Sequence, residues 1–426
     1  MSFKSSKLED VADIIDSHHQ TPKYSKFGIA MVRGTDVKYG VISLEDTFKV
    51  DASTYAEFSR RYKPSVNDII ITRVGTYGVT GRVKNIDFCL GQNTTAIVPK
   101  KINPRYLYAV LNTNILREQI EAGTVGSTQR TLSLKNIKSL EIPRFEDSKE
   151  KAIARTLGAI DDKIILLQEI NKNIENITDA IYKCWFIDFD LAVQLRDHPI
   201  TAINRKCLAN IFSKERISSE LGDIPVGWEV KCATDVFKFQ KGCEPGTKNY
   251  STQKIGDMLP FIRVGDLSKQ NSNIFIDSSY FQKGGVNESD ILLSTDGSIG
   301  LVAYGYKGVI SGGIRRVTYL NGGSGLFIYH TLKGKQFQNE LDINTPPQTT
   351  IRHAGTGLPK IRLLSPPQEV IDCFDELTDC FFKKLVSNLN EIEFLINLRN
   401  TISSRLISGK LQIHPLDIDI ETSLTD

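Results

Sequence analysis

The stretch NDIIITRVGTYG (Asn67 to Gly78) returns 222 residues later as SDILLSTDGSIG (Ser289 to Gly300). Each holds an Asp, an apolar run, and a Gly three residues before another Gly. Self-similarity at a fixed spacing marks a duplicated structural unit, so the chain is constrained to two modules of one design. Other pieces recur in the same order. AMVRGTDV (Ala30 to Val37) meets PFIRVGDL (Pro260 to Leu267), each an apolar run with an Arg, then a turn and an Asp. GSTQRTLSLKNIKSLEIP (Gly126 to Pro143) meets QTTIRHAGTGLPKIRLLSPP (Gln348 to Pro367), each a hydroxyl-rich turn, an Arg, and apolar residues leading to proline. The offset drifts from 220 to 230, as expected of two copies whose loops differ.

Inside each copy the signals are short β-branched runs (DIIITRV, TTAIVP, DILLST, GIRRVTYL) separated by Gly, Asn and Ser turns. A smaller helical pattern follows in RYLYAVLNTNILREQI. Each module is expected to be mainly β with a few helices. After each module the period changes. Ile160, Ile164, Leu167, Asn171, Ile174, Thr178 and Ile181 step by four and three, and so do Phe381, Leu385, Asn388, Ile392, Leu395, Arg399 and Ile402. Both read as helices of about 35 residues, about 50 Å long, with the narrow apolar stripe of a coiled-coil seam. Neither stripe is buried by its own helix. Packing one against the other solves both problems, with Asn171 and Asn388 placed to set register. Pro143 and Pro366–Pro367 mark the expected helix starts.

The expected fold is therefore α+β: two mainly β domains in tandem, separated and joined by two long antiparallel coiled-coil helices, with pseudo-twofold symmetry. The boundaries are 1–145 for the first module, 146–205 for the central helix and linker, 206–366 for the second module, 367–412 for the C-terminal helix, and 413–426 for a tail. The linker GDIPVGWEV leads into the second module.

At 426 residues, 40% hydrophobic and 24% charged, the chain has the balance of an ordinary globular protein of more than one domain. No run approaches the roughly 20 apolar residues of a membrane span, and MSFKSSKLEDVADII lacks a signal-peptide core. A cytoplasmic chain is expected. Its net charge of +3 is uneven. Residues 1–147 and 206–366 are mildly basic, while 148–205 and 367–426 are neutral to acidic, which suits polyanion binding by the modules only.

Catalytic signatures are missing. Seven cysteines include no C-x-x-C pair, and Cys184, Cys373 and Cys380 fall in apolar helical patterns. His18 and His19 have no partner at metal-ligand spacing. The GK pairs at 334–335 and 409–410 are followed by Gln and Leu, so there is no P-loop. DVK (Asp36 to Lys38) lacks the clustered carboxylates of a metal-dependent nuclease. SPPQ (Ser365 to Gln368) has Gln where a base-flipping methyltransferase needs an aromatic ring. DGSIG reads as a strand-ending turn.

The whole order of pieces resembles the DNA-specificity subunit of type I restriction-modification systems. The carrying segments are GSTQRTLSLKNIKSLEIP leading into IARTLGAIDDKIILLQEINKNIENITDAIYKCWFIDFD, then GDIPVGWEV, then LINLRNTISSRLISGKL. The resemblance implies two target-recognition domains, each reading half of a split double-stranded DNA site, with the helices as a ruler for the unread gap. It also implies two methyltransferase subunits bringing S-adenosylmethionine, and motor-endonuclease subunits bringing ATP and Mg²⁺, for defence against foreign DNA. Within this chain it implies no catalysis and no cofactor. The two copies diverge at Gln92–Asn93, where Ser311–Gly312–Gly313 stands in the second.

Base reading draws on Arg and Lys for guanine and on Asn and Gln for adenine. The candidate contacts are Arg33, Arg73, Tyr77, Gln92, Asn93 and Arg130 in the first module. In the second they are Lys241, Arg263, Arg315, Arg316, Arg352 and His353. The recurrence of Arg33 and Arg263 at matched positions fits either DNA contact or internal salt bridges to Asp36 and Asp266. Trp185, Phe186 and Phe189 form either an exposed methyltransferase-docking cluster or a cap on the coiled coil. The competing reading is a two-domain scaffold whose coiled coil recruits proteins and whose β domains bind peptides or RNA. Divergent loops on a repeated framework favour the DNA reader.

Overall fold

The computed structural model describes residues 4–125, 130–189, 215–267, 272–323, 325–345 and 353–411. The chain divides into two compact units, Met1–Gln168 with Ile392–Asp426, and Glu169–Glu391. Each unit holds one β module and one stretch of each of two 40-residue helices, Asp147–Phe186 and Gln368–Ile407.

In the first unit a five-stranded sheet has the order Ala12–Asp16, Thr94–Pro99, Ile69–Thr72, Thr80–Arg82, Gly40–Val41. A four-stranded sheet orders Tyr24–Ser25, Phe48–Val50, Ile29–Val32, Phe88–Leu90. The unbroken apolar run at 69–71 is explained by burial on both faces. Ile69 and Ile71 enter one core with Leu107 and Val110, while Ile70 enters another with Val32, Phe88 and Ala96. The helical pattern after Pro104 becomes two helices, Pro104–Leu111 and Asn114–Ala122, the second capped by the Thr113 hydroxyl.

The second unit uses the same plan. One sheet orders Phe237–Lys241, Ile314–Tyr319, Ile291–Ser294, Val302–Ala303; the other orders Phe275–Ile276, Leu259–Ile262, Gly308–Ile310, Gly285–Val286. Here too alternate residues sort by period two: Ile291 and Leu293 face one core, Leu292 the other. Trp228 of the linker is fully buried against Phe186 and Phe189.

Within each unit the helix stretches pack antiparallel along the expected stripes. In the first, Ile164, Leu167 and Ile392 form a buried cluster, and Leu157 shares a core with Leu406. Buried Asp161 there accepts from the Tyr39 hydroxyl and lies 3.6 Å from Arg399. Desolvation raises the Asp161 pKa, against the Tyr39 hydrogen bond and the charges of Arg399 and Arg82. In the second unit Asn388 Nδ2 donates to Asn171 Oδ1 at 2.7 Å inside the seam.

Two expectations are corrected. Pro143 does not start a helix: it lies in strand Glu141–Arg144, paired with Lys4–Lys7, and the helix begins at Asp147. That strand belongs to a two-stranded ribbon, where the missing N–H is tolerated. Pro366–Pro367 do immediately precede a helix, at Gln368. Trp185 and Phe186 are not an exposed docking cluster, being 3% and 5% exposed. They pack edge-on against Phe374 of the partner helix because aromatic area of this size is worth more inside a core than in water. Phe189 is half-buried, edge-on to Trp228 and beneath Arg216.

Candidate nucleic-acid interface

Both modules close one end of their sheets with the same backbone lattice. In the first, strand Ile69–Thr72 runs into a loop folded back on its own hydroxyl. Thr72 Oγ1 donates to the Thr76 carbonyl and accepts from Val79 N–H at 3.0 Å. Thr72 N–H donates to Val79 O at 2.9 Å, and Gly78 N–H to Thr72 O at 2.8 Å. In the second, Ser294 Oγ donates to the Ser298 carbonyl at 2.6 Å and accepts from Leu301 N–H at 2.8 Å. Ser294 N–H donates to Leu301 O at 2.9 Å, and Gly300 N–H to Ser294 O at 3.0 Å. Both loops need left-handed backbone at the two glycines: φ is 76° and 77° at Gly75 and Gly78, 69° and 85° at Gly297 and Gly300. The echo first seen in the sequence is this loop.

Neighbouring segments attach to it identically. Arg73 N–H donates to Asn93 O and Leu132 N–H to Arg73 O; in the second module Thr295 N–H donates to Gly313 O and Ala354 N–H to Thr295 O. Val74 bridges to Thr131 as Asp296 does to His353. Asp16 faces Thr95 across strands as Lys241 faces Arg315. Arg73 therefore corresponds to Thr295, Tyr77 to Ile299, Asn93 to Gly313, Thr131 to His353, Asp16 to Lys241, and Thr95 to Arg315.

On this shared frame the side chains differ. In the first module Arg73 is largely covered, its Nη1 at 2.7 and 2.8 Å from the two Asp16 oxygens and its Nε donating to Leu132 O. Asp16 also meets His19 at 2.7 Å and the Thr95 hydroxyl. Gln92 is half-buried, and Asn93 is exposed with φ of 64°. Tyr77 donates to Glu121 at 2.8 Å, and half-exposed Arg130 reaches both. Arg33 and Arg73 thus flank loop 91–93, which carries Gln92 and Asn93, while Tyr77 and Arg130, from separate segments, meet at Glu121.

In the second module Lys241 is exposed, and Arg315 donates to Gly312 O at 2.7 Å with its pKa lowered by burial. His353 Nδ1 lies 3.0 Å from Asp296. Arg316 points to the opposite face, bonded to Gln240 and the Gly285 carbonyl and 3.8 Å from Asp290, so it does not join the cluster. Arg352 lies outside the described residues.

Arg33 and Arg263 have a structural partner at once. Backbone N–H and Nε of each bind the carboxylate three residues on, Asp36 at 2.9 and 3.0 Å and Asp266 at 3.0 and 3.3 Å. The salt-bridge alternative raised by their recurrence is present in both copies. Sequence reasoning missed Asp16, His19, Glu121 and Asp296, because the partners that give them meaning lie up to 57 residues away. Among the described residues no group of three or more His, Cys, Asp or Glu is placed to hold a metal, and no helix is long and apolar enough to cross a membrane.

A family model described as the type I restriction modification DNA specificity domain matches residues 2–176 and 225–363. The type I restriction enzyme MjaIX specificity subunit of Methanocaldococcus jannaschii is 25% identical over 366 residues, spanning 82% of this chain and 78% of that one. The HindI specificity subunit of Haemophilus influenzae is 24% identical, spanning 72% and 77%. Among solved structures, the type I S subunit from M. genitalium has the same fold, with a TM-score of 0.51 at 14% identity over 95% of this chain and 96% of its own.

Proposed function

The chain belongs to the type I restriction modification DNA specificity family, and on that premise we propose how its parts divide the work. It is the non-catalytic DNA-recognition subunit of a type I restriction-modification complex. Each module reads one half of a bipartite site through its loop end, and the paired helices set the unread gap and receive the methyltransferase subunits. Those subunits bring S-adenosylmethionine; motor-endonuclease subunits bring ATP and Mg²⁺, and the assembly acts on DNA in a prokaryotic cytoplasm, at the nucleoid when bound.

The observation that carries this reading is a common backbone lattice bearing different side chains. One frame holds Asp16, Arg73, Tyr77 and Asn93 in one copy and Lys241, Thr295, Ile299 and Gly313 in the other. Two readers of one architecture with different groups at the same positions suit a two-part target. The basic modules add the salt-dependent attraction to phosphate on which recognition builds. Co-expression with the methyltransferase subunit of the same system, followed by genome-wide mapping of N6-methyladenine, tests it. A split motif with a fixed gap, absent when this chain is omitted, is expected. A stable complex that methylates no such motif would overturn the reading.

A further inference from the structure

If the modules read DNA as proposed, the two loop ends differ in one electrostatic respect that bears on which bases each can read. In the first module every arginine of the cluster is answered by a carboxylate: Arg33 by Asp36, Arg73 by Asp16, Arg130 by Glu121. At the position of Asp16 the second module has Lys241, and directly opposite, where the first has Thr95, it has Arg315. Lys241 has no acceptor among the described residues. Among the described residues Arg315 hydrogen-bonds only to the carbonyls of Gly312 and Ile314. Asp296 acts on it at longer range, its carboxylate being bound to His353 at 3.0 Å.

Nothing among the described residues accounts for this pair. Like charges facing one another on antiparallel strands destabilise the pairing, and half-burying a guanidinium whose nearest carboxylate, Asp296, is engaged by His353 costs free energy. A ligand with two adjacent acceptors removes both costs. Guanine offers N7 and O6 side by side in the major groove, the edge that Arg and Lys match; adenine pairs an acceptor with a donor and suits an amide instead. A phosphate would also attract the cations. However, Arg315 is held in place by two carbonyls, and its Nη2 lies 3.1 Å from where a side chain on Gly355 would begin. That fixed orientation is what a base contact requires and a phosphate contact does not. The neighbouring loop carries Gly312 and Gly313 where the first module has Gln92 and Asn93, so neither position offers a side chain, and Ser311 before them is buried.

We propose that Lys241 and Arg315 are specificity-determining residues of the second module and that they contact guanine in its half of the target. The first module, with its cations neutralised and amides on loop 91–93, has no such pair.

The test uses the complete complex with its methyltransferase subunits. Methylated sites are mapped for the wild type, Lys241→Gln, Arg315→Gln and Arg315→Lys, and melting of each purified complex verifies folding. Discrimination should fall roughly tenfold to a hundredfold at a G·C pair. The loss should be confined to one half of the motif, the same half for both Gln variants, with partial retention in Arg315→Lys. Lys241 is exposed, so its variant reports even if Arg315→Gln folds poorly. Uniform weakening with an unchanged motif would mean phosphate contact and would overturn the proposal, as would an unchanged motif at full activity or relaxation at A·T pairs. A wild-type complex that methylates no split motif would instead remove the underlying function, and the two failures are distinct.

Discussion

Replacing Arg33 by Ala separates its two possible roles. Its Nε and Nη2 donate to the two Asp36 oxygens at 3.0 and 3.1 Å, and the guanidinium lies 3.9 Å over the Phe48 ring. The side chain is 27% exposed and Asp36 12%, so solvent screens the pair only partly. A bidentate pair in that setting contributes about 1 kcal/mol and the ring contact about 0.5–1 kcal/mol. Asp36 keeps the Arg33 backbone N–H, so its carboxylate is not left unpaired. The cost is about 1.5–2 kcal/mol, which lowers Tm by about 3–8 °C for a unit of this size. Arg263 is 46% exposed and holds Asp266 through one side-chain contact at 3.3 Å, so Arg263→Ala costs under about 1 kcal/mol. Thermal melting by circular dichroism, paired with methylome mapping, should show a larger Tm loss for Arg33→Ala and an unchanged motif for both. An unaltered Tm with one relaxed base position would refute the structural role and make Arg33 a reader.

Buried polar groups give three more expected outcomes. Asn388→Leu strips Asn171 Oδ1 of its donor inside the seam and should cost about 1–3 kcal/mol, while Asn171→Leu/Asn388→Leu together should recover most of it; equal losses in urea melts would contradict this. His330 Nε2 lies 3.0 Å from the Thr178 hydroxyl, and burial, then Lys333, pushes its pKa down to about 3. Asp179 is 3.5 Å from Nδ1 but largely exposed, too well solvated to offset that. A folded pKa below the ordinary 6.5 means the unfolded chain binds the extra proton, so stability is full above pH 6.5 and declines as pH falls toward 3. Melting from about pH 7 to about 4.5 should show that decline reduced in His330→Gln, and identical profiles would exclude it. Thr72→Val and Ser294→Ala each remove the hydroxyl that closes a loop and should each destabilise by about 1–3 kcal/mol; a neutral result in either copy would break the equivalence of the two frames.

Much of this architecture is legible in the sequence because periodicity is a local signal. The helical stripes, the β-branched strands and the repeated DG and VG turns show in residues a few positions apart, and Asn171 and Asn388 fall in the seam for that reason. Pro143 misleads because a proline at a ribbon strand and one before a helix leave the same trace. The aromatic run at 184–189 gives no hint of which side water is on; that depends on Phe374 and Trp228, which sequence distance hides. The candidate site is half visible for the same reason. Arg73 stands out as a cation on a loop, but its clamp by Asp16 requires two strands to lie on either side of a third. Lys241 and Arg315 stand out separately, and only the strand register sets them face to face.

The most direct test of two readers on one frame is an exchange. Residues 229–365 would be replaced by the corresponding module of a relative that has a different target, and the methylome of the reconstituted complex mapped. One half of the motif should change, with the other half and the gap unaltered. Change in both halves, or in the gap, from a folded and active complex would contradict the account.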